Sequence, residues 1–419
     1  MLKLFSENKK FRNYLMFTVF NSVGGGIFAI FMIWVIHSQY QNPFYTGLAG
    51  FMFAVMTITN FIVGPFVDRR NKANLLRTTC FVSFIVVSLI LAASLTYMPG
   101  VWFLLAMILI KAAAGLISRP AGTALMPRIV GSEDLIKANA LMSIVSIFVG
   151  LGIGAFLYVA MVRGADFTLV FAVNAAVLLI ALAFSFFIDS AESIKSESKS
   201  TAPLKAYFSE LKEGFAFVKG GVIMLLALAV LAQDIAASVA YVNVPMLAQI
   251  HTGEASAYII LTALAMIGGL LGAYMSRIFG PKLDIWKILA VCFIFAGLAR
   301  ILFVNVIPDN FTRALLIHAF YIGMGSTTGI FFDTLIQKLP PKHLVARVSA
   351  IIVSLVGVTS AFGALLGGII GTVVPDIDMI FIAQGSTYMI IGLFVSMSKR
   401  IRDLPKINDV TTFESEEKT

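Results

Sequence analysis

Runs of about 20–25 apolar residues recur along nearly the whole chain, divided by short clusters of charge, glycine or proline, and this recurrence narrows the possible folds most. At 1.5 Å per residue, such a run spans a hydrocarbon core of about 30 Å as a helix. Lipid offers the backbone no hydrogen-bond partners, so each run must satisfy itself internally, as a helix does. The runs fall at about 13–37, 44–66, 74–97, 101–126, 137–161 and 168–188, then at about 221–249, 256–279, 286–307, 311–336, 345–372 and 379–398. The expected fold class is an all-α membrane protein of twelve transmembrane helices in two six-helix bundles. With 59% hydrophobic residues, 13% charged residues and a mean hydropathy of +0.93, the 419-residue chain is excluded from the ordinary water-soluble enzymes. The turns and tails leave no length for a large soluble domain.

Four regions follow: an N-terminal bundle over 1–188, a cytoplasmic linker over 189–220, a C-terminal bundle over 221–398 and a cytoplasmic tail over 399–419. The linker contains SAESIKSESKST, Ser190 to Thr201, too polar to offset its ordering entropy by burial and so expected to be mobile. After it, Leu204, Tyr207, Phe208, Leu211 and Phe215 recur at helical spacing, with Lys205, Glu210, Lys212 and Glu213 between them, as in an amphipathic helix on a membrane surface. The net charge of +9 reflects loops rather than nucleic-acid binding. Placing both termini in the cytoplasm puts 27 of the 31 Lys and Arg on that side, leaving Arg163 and Arg313 outside and Lys111 and Arg300 inside spans. The first apolar run is too long for a signal-peptide core and is expected to stay in the membrane. Cys80 and Cys292 both lie in apolar runs, and His37, His251, His318 and His343 are scattered, so neither a disulfide framework nor a metal site is expected.

The halves resemble each other. ALMPRIVGSEDLIKANA begins at Ala124, and about 210 residues later TLIQKLPPKHLVARVSA begins at Thr334. Each leads into a glycine-rich span, with Gly150, Gly152 and Gly154 in the first and Gly357, Gly363, Gly367, Gly368 and Gly371 in the second. Repeated bundles with a central site are how secondary transporters are built.

The stretch GPFVDRRNKANLL, Gly64 to Leu76, resembles the motif between the second and third helices of the major facilitator superfamily, matching at Gly64, Asp68, Arg69, Arg70 and Lys72. Lys111 followed by Gly115 resembles the family's Arg-x-x-x-Gly pattern, with lysine for arginine. SRPAGTALMPRIVGSEDLIKANAL, KLPPKHLVARVSAII and ELKEGFAFVKGG are similar to the drug:proton antiporter and macrolide-efflux branch. GLGIGAFL departs from it, lacking the proline of the antiporter motif. The resemblance covers essentially the whole chain. It implies the major facilitator fold, with the first, fourth, seventh and tenth helices lining a central cavity. It also implies a gating role for the Gly64–Lys72 cluster, which holds the bundles together on the cytoplasmic side until inward opening.

A charged group inside a span costs about 2.5–3.5 kcal/mol on insertion scales, so it marks function or a specific partner. On the implied cavity helices these groups are Lys111 and Asp234, expected at similar depth, with Asp234 read as the proton carrier and Lys111 as its neighbour. His318 is a further proton-coupling candidate. Asn21, with Ser22 and Gly24 to Gly26, is read as a polar, flexible break in the first span. Asp333 is read as a gating or cap residue, and Arg300 as a residue that snorkels outward. No GxxxxGK[ST] loop or catalytic constellation is present, so neither ATP-driven pumping nor an enzyme is expected. The expected function is proton-coupled efflux of a small amphipathic substrate by a monomer in the cell membrane. It would be driven by the proton gradient, with no cofactor, metal or nucleic-acid partner. The alternative is export of an endogenous metallophore or lysophospholipid, with uptake third; a membrane enzyme or receptor is the alternative of another class.

Overall fold

Among the described residues all regular structure is helical, as a backbone surrounded by hydrocarbon requires. The computed structural model describes residues 8–59, 63, 67, 70–97, 99–188, 215–219, 221–280, 282–341 and 344–407. The polar run 190–201, the amphipathic stretch 204–214, and Gly64, Asp68 and Arg69 lie outside them. The helices are α1 Lys9–Tyr40, α2 Pro43–Val55, α3 Lys72–Ser94, α4 Val101–Val162, α5 Phe167–Ser185, α6 Val222–Tyr241, α7 Val244–Thr252, α8 Ala255–Phe279, α9 Ile285–Val306, α10 Phe311–Lys338, α11 Val345–Val373, α12 Asp378–Met397 and α13 Lys399–Arg402. A 3-10 turn, Met56–Thr59, follows α2. Asparagines begin four of them: the side chains of Asn8, Asn42, Asn71 and Asn310 accept from the first-turn N–H groups of α1, α2, α3 and α10.

Eleven stretches of these helices are long and apolar enough to cross a membrane, and Pro43–Ile58 is a shorter apolar helix. Large apolar side chains such as Trp102, Phe148, Leu316 and Met397 are exposed, as a lipid-facing surface demands. The chain forms two compact units. The first is Met1–Lys199 with Glu254–Ala263; the second is Ser200–Gly253 with Leu264–Thr419.

Contacts within the first unit fix helix directions. Asn13 Nδ2 donates to the Phe187 carbonyl, Phe20 stacks on Phe184, and Phe31 meets Phe171, so α1 and α5 run antiparallel. Arg77 Nη2 reaches the Ser185 carbonyl and Cys80 Sγ the Leu178 carbonyl, so α3 is also antiparallel to α5. Thus α1 and α3 are parallel, and the chain must cross back between Gln41 and Asn71, on the path that α2 begins. This is the twelfth crossing.

The expected loop between spans four and five is instead helical, and α4 is one 62-residue run. It nevertheless makes two crossings. The Tyr14 hydroxyl donates to the Gly122 carbonyl, and a Cβ on Gly26 would strike Ile153. Those two points on α1 are about 18 Å apart, whereas Gly122 and Ile153 on a straight helix would be about 46 Å apart. α4 therefore reverses between them, over the stretch that begins at Pro127, even though helical hydrogen bonding runs throughout. At the matching joint in the second half, Pro340 and Pro341 together stop the helix, and α10 and α11 are separate.

Span seven, expected to reach 249, ends at Tyr241. Pro245, near the start of α7, has no N–H to return to the Tyr241 carbonyl. Asn243, fully buried, bridges the gap by donating to the carbonyls of Val239 (2.8 Å) and Gly367 (2.9 Å). In the same unit α9 and α12 cross antiparallel at Gly297 and Gly385, where a Cβ on either would meet the other's carbonyl oxygen. The polar stretch of span one does not interrupt its helix: α1 runs continuously through Gly24–Gly26, whose bare faces admit Leu178 and Ile153.

Candidate functional site

Asp234 projects from α6 to α11. Its carboxylate accepts from the Thr359 hydroxyl (2.7 Å) and from the Ser360 hydroxyl (2.8 and 3.0 Å to its two oxygens). Hydroxyl donors suit a charged carboxylate, because each bond to it is charge-assisted. Beyond this point the seam between the helices is nearly bare of side chains on the α11 side. Ile235 and Ser238 lie on Gly363, and Val239 and Val242 on Gly367, so the two helices run parallel at close range. Asp234 is partly buried at the edge of this seam.

Lys111, on α4, lies in the first unit and Asp234 in the second, and each has partners in its own unit. The ammonium sits 4.9 Å from the centre of the Phe28 ring, a cation–π contact. Within that unit no carboxylate reaches it among the described residues.

His318 joins a buried polar network that sequence reasoning did not foresee. Arg300 Nε donates to Gln384 Oε1 (2.7 Å), and Arg300 Nη1 donates to His318 Nδ1 (3.1 Å). Arginine has only donors, so Nδ1 accepts and Nε2 carries the ring proton. Gln384 Nε2 donates to the Tyr321 hydroxyl (2.9 Å), which lies 3.3 Å from that of Tyr388. The rings of Phe381, Tyr321 and Phe303 lie 4.6, 4.8 and 5.1 Å from the guanidinium carbon. Arg300 is only 2% exposed, so it does not snorkel outward; aromatic faces and a side-chain amide replace water around it. The sequence signal was present, since Arg300 and Gln384 are polar groups in otherwise apolar spans, but their pairing across 84 positions is a tertiary fact.

Asn21 is partly buried on α1, and Asp333 is exposed on the C-terminal part of α10. Of the motif after the second span, Arg70 is exposed, while Lys72 opens α3 and is buried beside its Asn71 cap. The structure gathers Asp234 with Thr359 and Ser360, and His318 with Arg300 and Gln384. Within the second unit, Asp333 joins neither group among the described residues. Near the other end of the second unit, His251 Nε2 lies 2.7 Å from Asp378 Oδ1, joining α7 to the first turn of α12. Among the described residues no cluster of His, Cys, Asp and Glu could hold a metal ion.

The family model described as Major Facilitator Superfamily matches residues 14–364. A curated relative, the uncharacterized MFS-type transporter YvqJ of Bacillus subtilis (strain 168), is 25% identical over 218 residues, 49% of this chain and 50% of that protein. The match thus spans about half the relative's length. Among solved structures, the nucleoside transporter NupG aligns with a TM-score of 0.72 at 11% identity, covering 93% of this chain and 98% of that one. A POT family transporter in complex with a thioalcohol-conjugated peptide aligns at 0.68 and 10%, covering 92% and 95%. A bacterial homolog of the human lysosomal transporter Spinster aligns at 0.60 and 15%, covering 93% and 94%. At these identities the likeness is one of fold.

Proposed function

The chain belongs to the Major Facilitator Superfamily, and on that premise we propose that it is a proton-coupled exporter of amphipathic small molecules with both termini in the cytoplasm. It is a multi-pass membrane protein and a secondary transporter. The observation that supports proton coupling is Asp234, a carboxylate within a membrane span whose partners are two hydroxyls rather than a cation. A carboxylate fixed in a salt bridge has little reason to take up a proton, whereas one held by hydroxyls can exchange its charge for a proton and keep hydrogen-bonding. In this reading proton entry and substrate exit alternate at Asp234, and Lys111 is an ammonium in the other unit, able to lose its proton when desolvated. The cluster Asp68, Arg69, Arg70 and Lys72 acts as a cytoplasmic gate, and Asn21, His318 and Asp333 are secondary candidates along the path. The abundant Phe and Met, 36 and 18 residues, suit an apolar and adaptable substrate surface.

Reconstitution in liposomes with an imposed pH gradient, tested against a panel of amphipathic cations, lysophospholipids and metallophores, distinguishes drug export from export of an endogenous compound. Gradient-driven flux is expected for the wild type and should be lost in Asp234→Asn, with downhill exchange retained. Equal gradient-driven flux in that variant removes Asp234 from the coupling step.

A further inference from the structure

We propose that Thr359 and Ser360 are positioning residues for Asp234, and that proton uptake by Asp234 releases α6 from α11 along the glycine seam. The inference rests on the reading of Asp234 as the proton carrier and goes beyond it by naming the moving contact.

Three observations support it. The carboxylate is a polar anchor of the seam, accepting from hydroxyls on two consecutive residues of α11. A charged carboxylate accepts at both oxygens, whereas a protonated one turns one oxygen into a donor and loses the charge assistance. Next, the Thr359 hydroxyl already lies within reach of two carbonyls of its own helix, Val356 (3.0 Å) and Leu355 (3.2 Å). It can therefore let go of Asp234 without leaving a donor unsatisfied, which keeps the switch low in cost. Last, the neighbouring contacts of α6 lie against Gly363 and Gly367, where α11 has no side chain to interlock with α6. Asn243 remains bonded to the Gly367 carbonyl at the far end, so the seam has a fixed end and a releasable end.

Titratable and charged groups lie on the helix of Asp234 and on the elements packed around it. α6 carries Tyr241 besides it. α11 carries Arg347 in its first turn, and α12 carries Asp378 in its first turn and Tyr388. α10 carries Arg313, His318, Tyr321, Asp333 and Lys338, and α13 carries Lys399, Arg400 and Arg402. Among the described residues none of these hydrogen-bonds or ion-pairs with the Asp234 carboxylate.

Hydrogen–deuterium exchange of the full chain in lipid nanodiscs, without added substrate and corrected for the intrinsic rate, tests the idea between pH 5 and pH 8. Wild-type segments covering 230–242 and 354–366 should exchange several-fold faster at the acid end. Asp234→Asn should remove that pH dependence. The double variant Thr359→Val with Ser360→Ala should exchange fast at every pH, while Thr359→Ser with Ser360→Thr should behave as wild type. In liposomes the double variant should move the pH of half-maximal drive by about one unit to the alkaline side, because the charged carboxylate has lost its donors. A wild-type seam equally protected at both pH values overturns the release proposal, as does a double variant with an unshifted pH profile. Neither result touches the coupling role of Asp234, which fails separately if Asp234→Asn keeps its gradient-driven flux.

Discussion

Arg300 carries a guanidinium into a membrane span with no carboxylate bonded to it among the described residues, so its stability depends on the acceptors and rings that surround it. Leaving one member of such a network unpaired costs more than removing both, because the survivor keeps its full desolvation penalty. Gln384→Leu should therefore lower stability by about 1–3 kcal/mol, read as a drop of several degrees in the thermal midpoint in detergent. The double variant Arg300→Leu with Gln384→Leu should recover part of that loss. A double variant no more stable than Gln384→Leu would mean that the guanidinium gains most of its stabilisation from the rings. At this scale the sequence was legible for single groups and silent about their partners. Asp234 stands out because it is the one carboxylate in the α6 run. Thr359 and Ser360 do not, because hydroxyls are ordinary in membrane helices and bond their own backbone, and their partner is 125 and 126 positions away.

Among the elements, the spans were legible because apolar length is a one-dimensional signal, and the places where helices stop were less so. Pro127 and Pro245 look alike in sequence. One lies within a continuous helix and the other follows a break, because Asn243 is placed to bond the Gly367 carbonyl of a neighbouring helix. Glycines divide in the same way. At Gly385 a Cβ would meet the carbonyl oxygen of Gly297 and the Ile301 side chain, and a backbone atom cannot yield as the end of a side chain can. At Gly115 nothing lies within 4 Å. Gly385→Ala should thus cost about 1–3 kcal/mol by overpacking the crossing of α9 and α12. Gly115→Ala should leave stability unchanged or raise it by up to about 1 kcal/mol through helix propensity. Thermal unfolding of the two purified variants compares them directly, and equal midpoints would show that the crossing can open to admit a methyl group.

For the whole molecule, parity links the number of crossings to the position of the tail. Eleven crossings would leave the termini on opposite sides of the membrane and twelve on the same side, so the short apolar helix Pro43–Ile58 decides the topology. Two independent arguments favour twelve. α1 and α3 are both antiparallel to α5, which forces a crossing between them. The basic residues say the same from the sequence alone: 27 of the 31 Lys and Arg fall on one side when the chain crosses between 44 and 66, and an omitted crossing would put Lys3, Lys9, Lys10 and Arg12 at the amino end on the face opposite the rest. A green fluorescent protein fused after Thr419 should fluoresce, and alkaline phosphatase at the same point should be inactive, both reporting a cytoplasmic tail. Phosphatase inserted after Thr96, between α3 and α4, should be active. Deleting 43–67 should exchange the two phosphatase results for every fusion beyond the deletion. If instead the tail already reports the outside in the intact chain, the twelve-crossing topology and the cytoplasmic gate assigned to Asp68, Arg69, Arg70 and Lys72 fall together, because both depend on that return crossing.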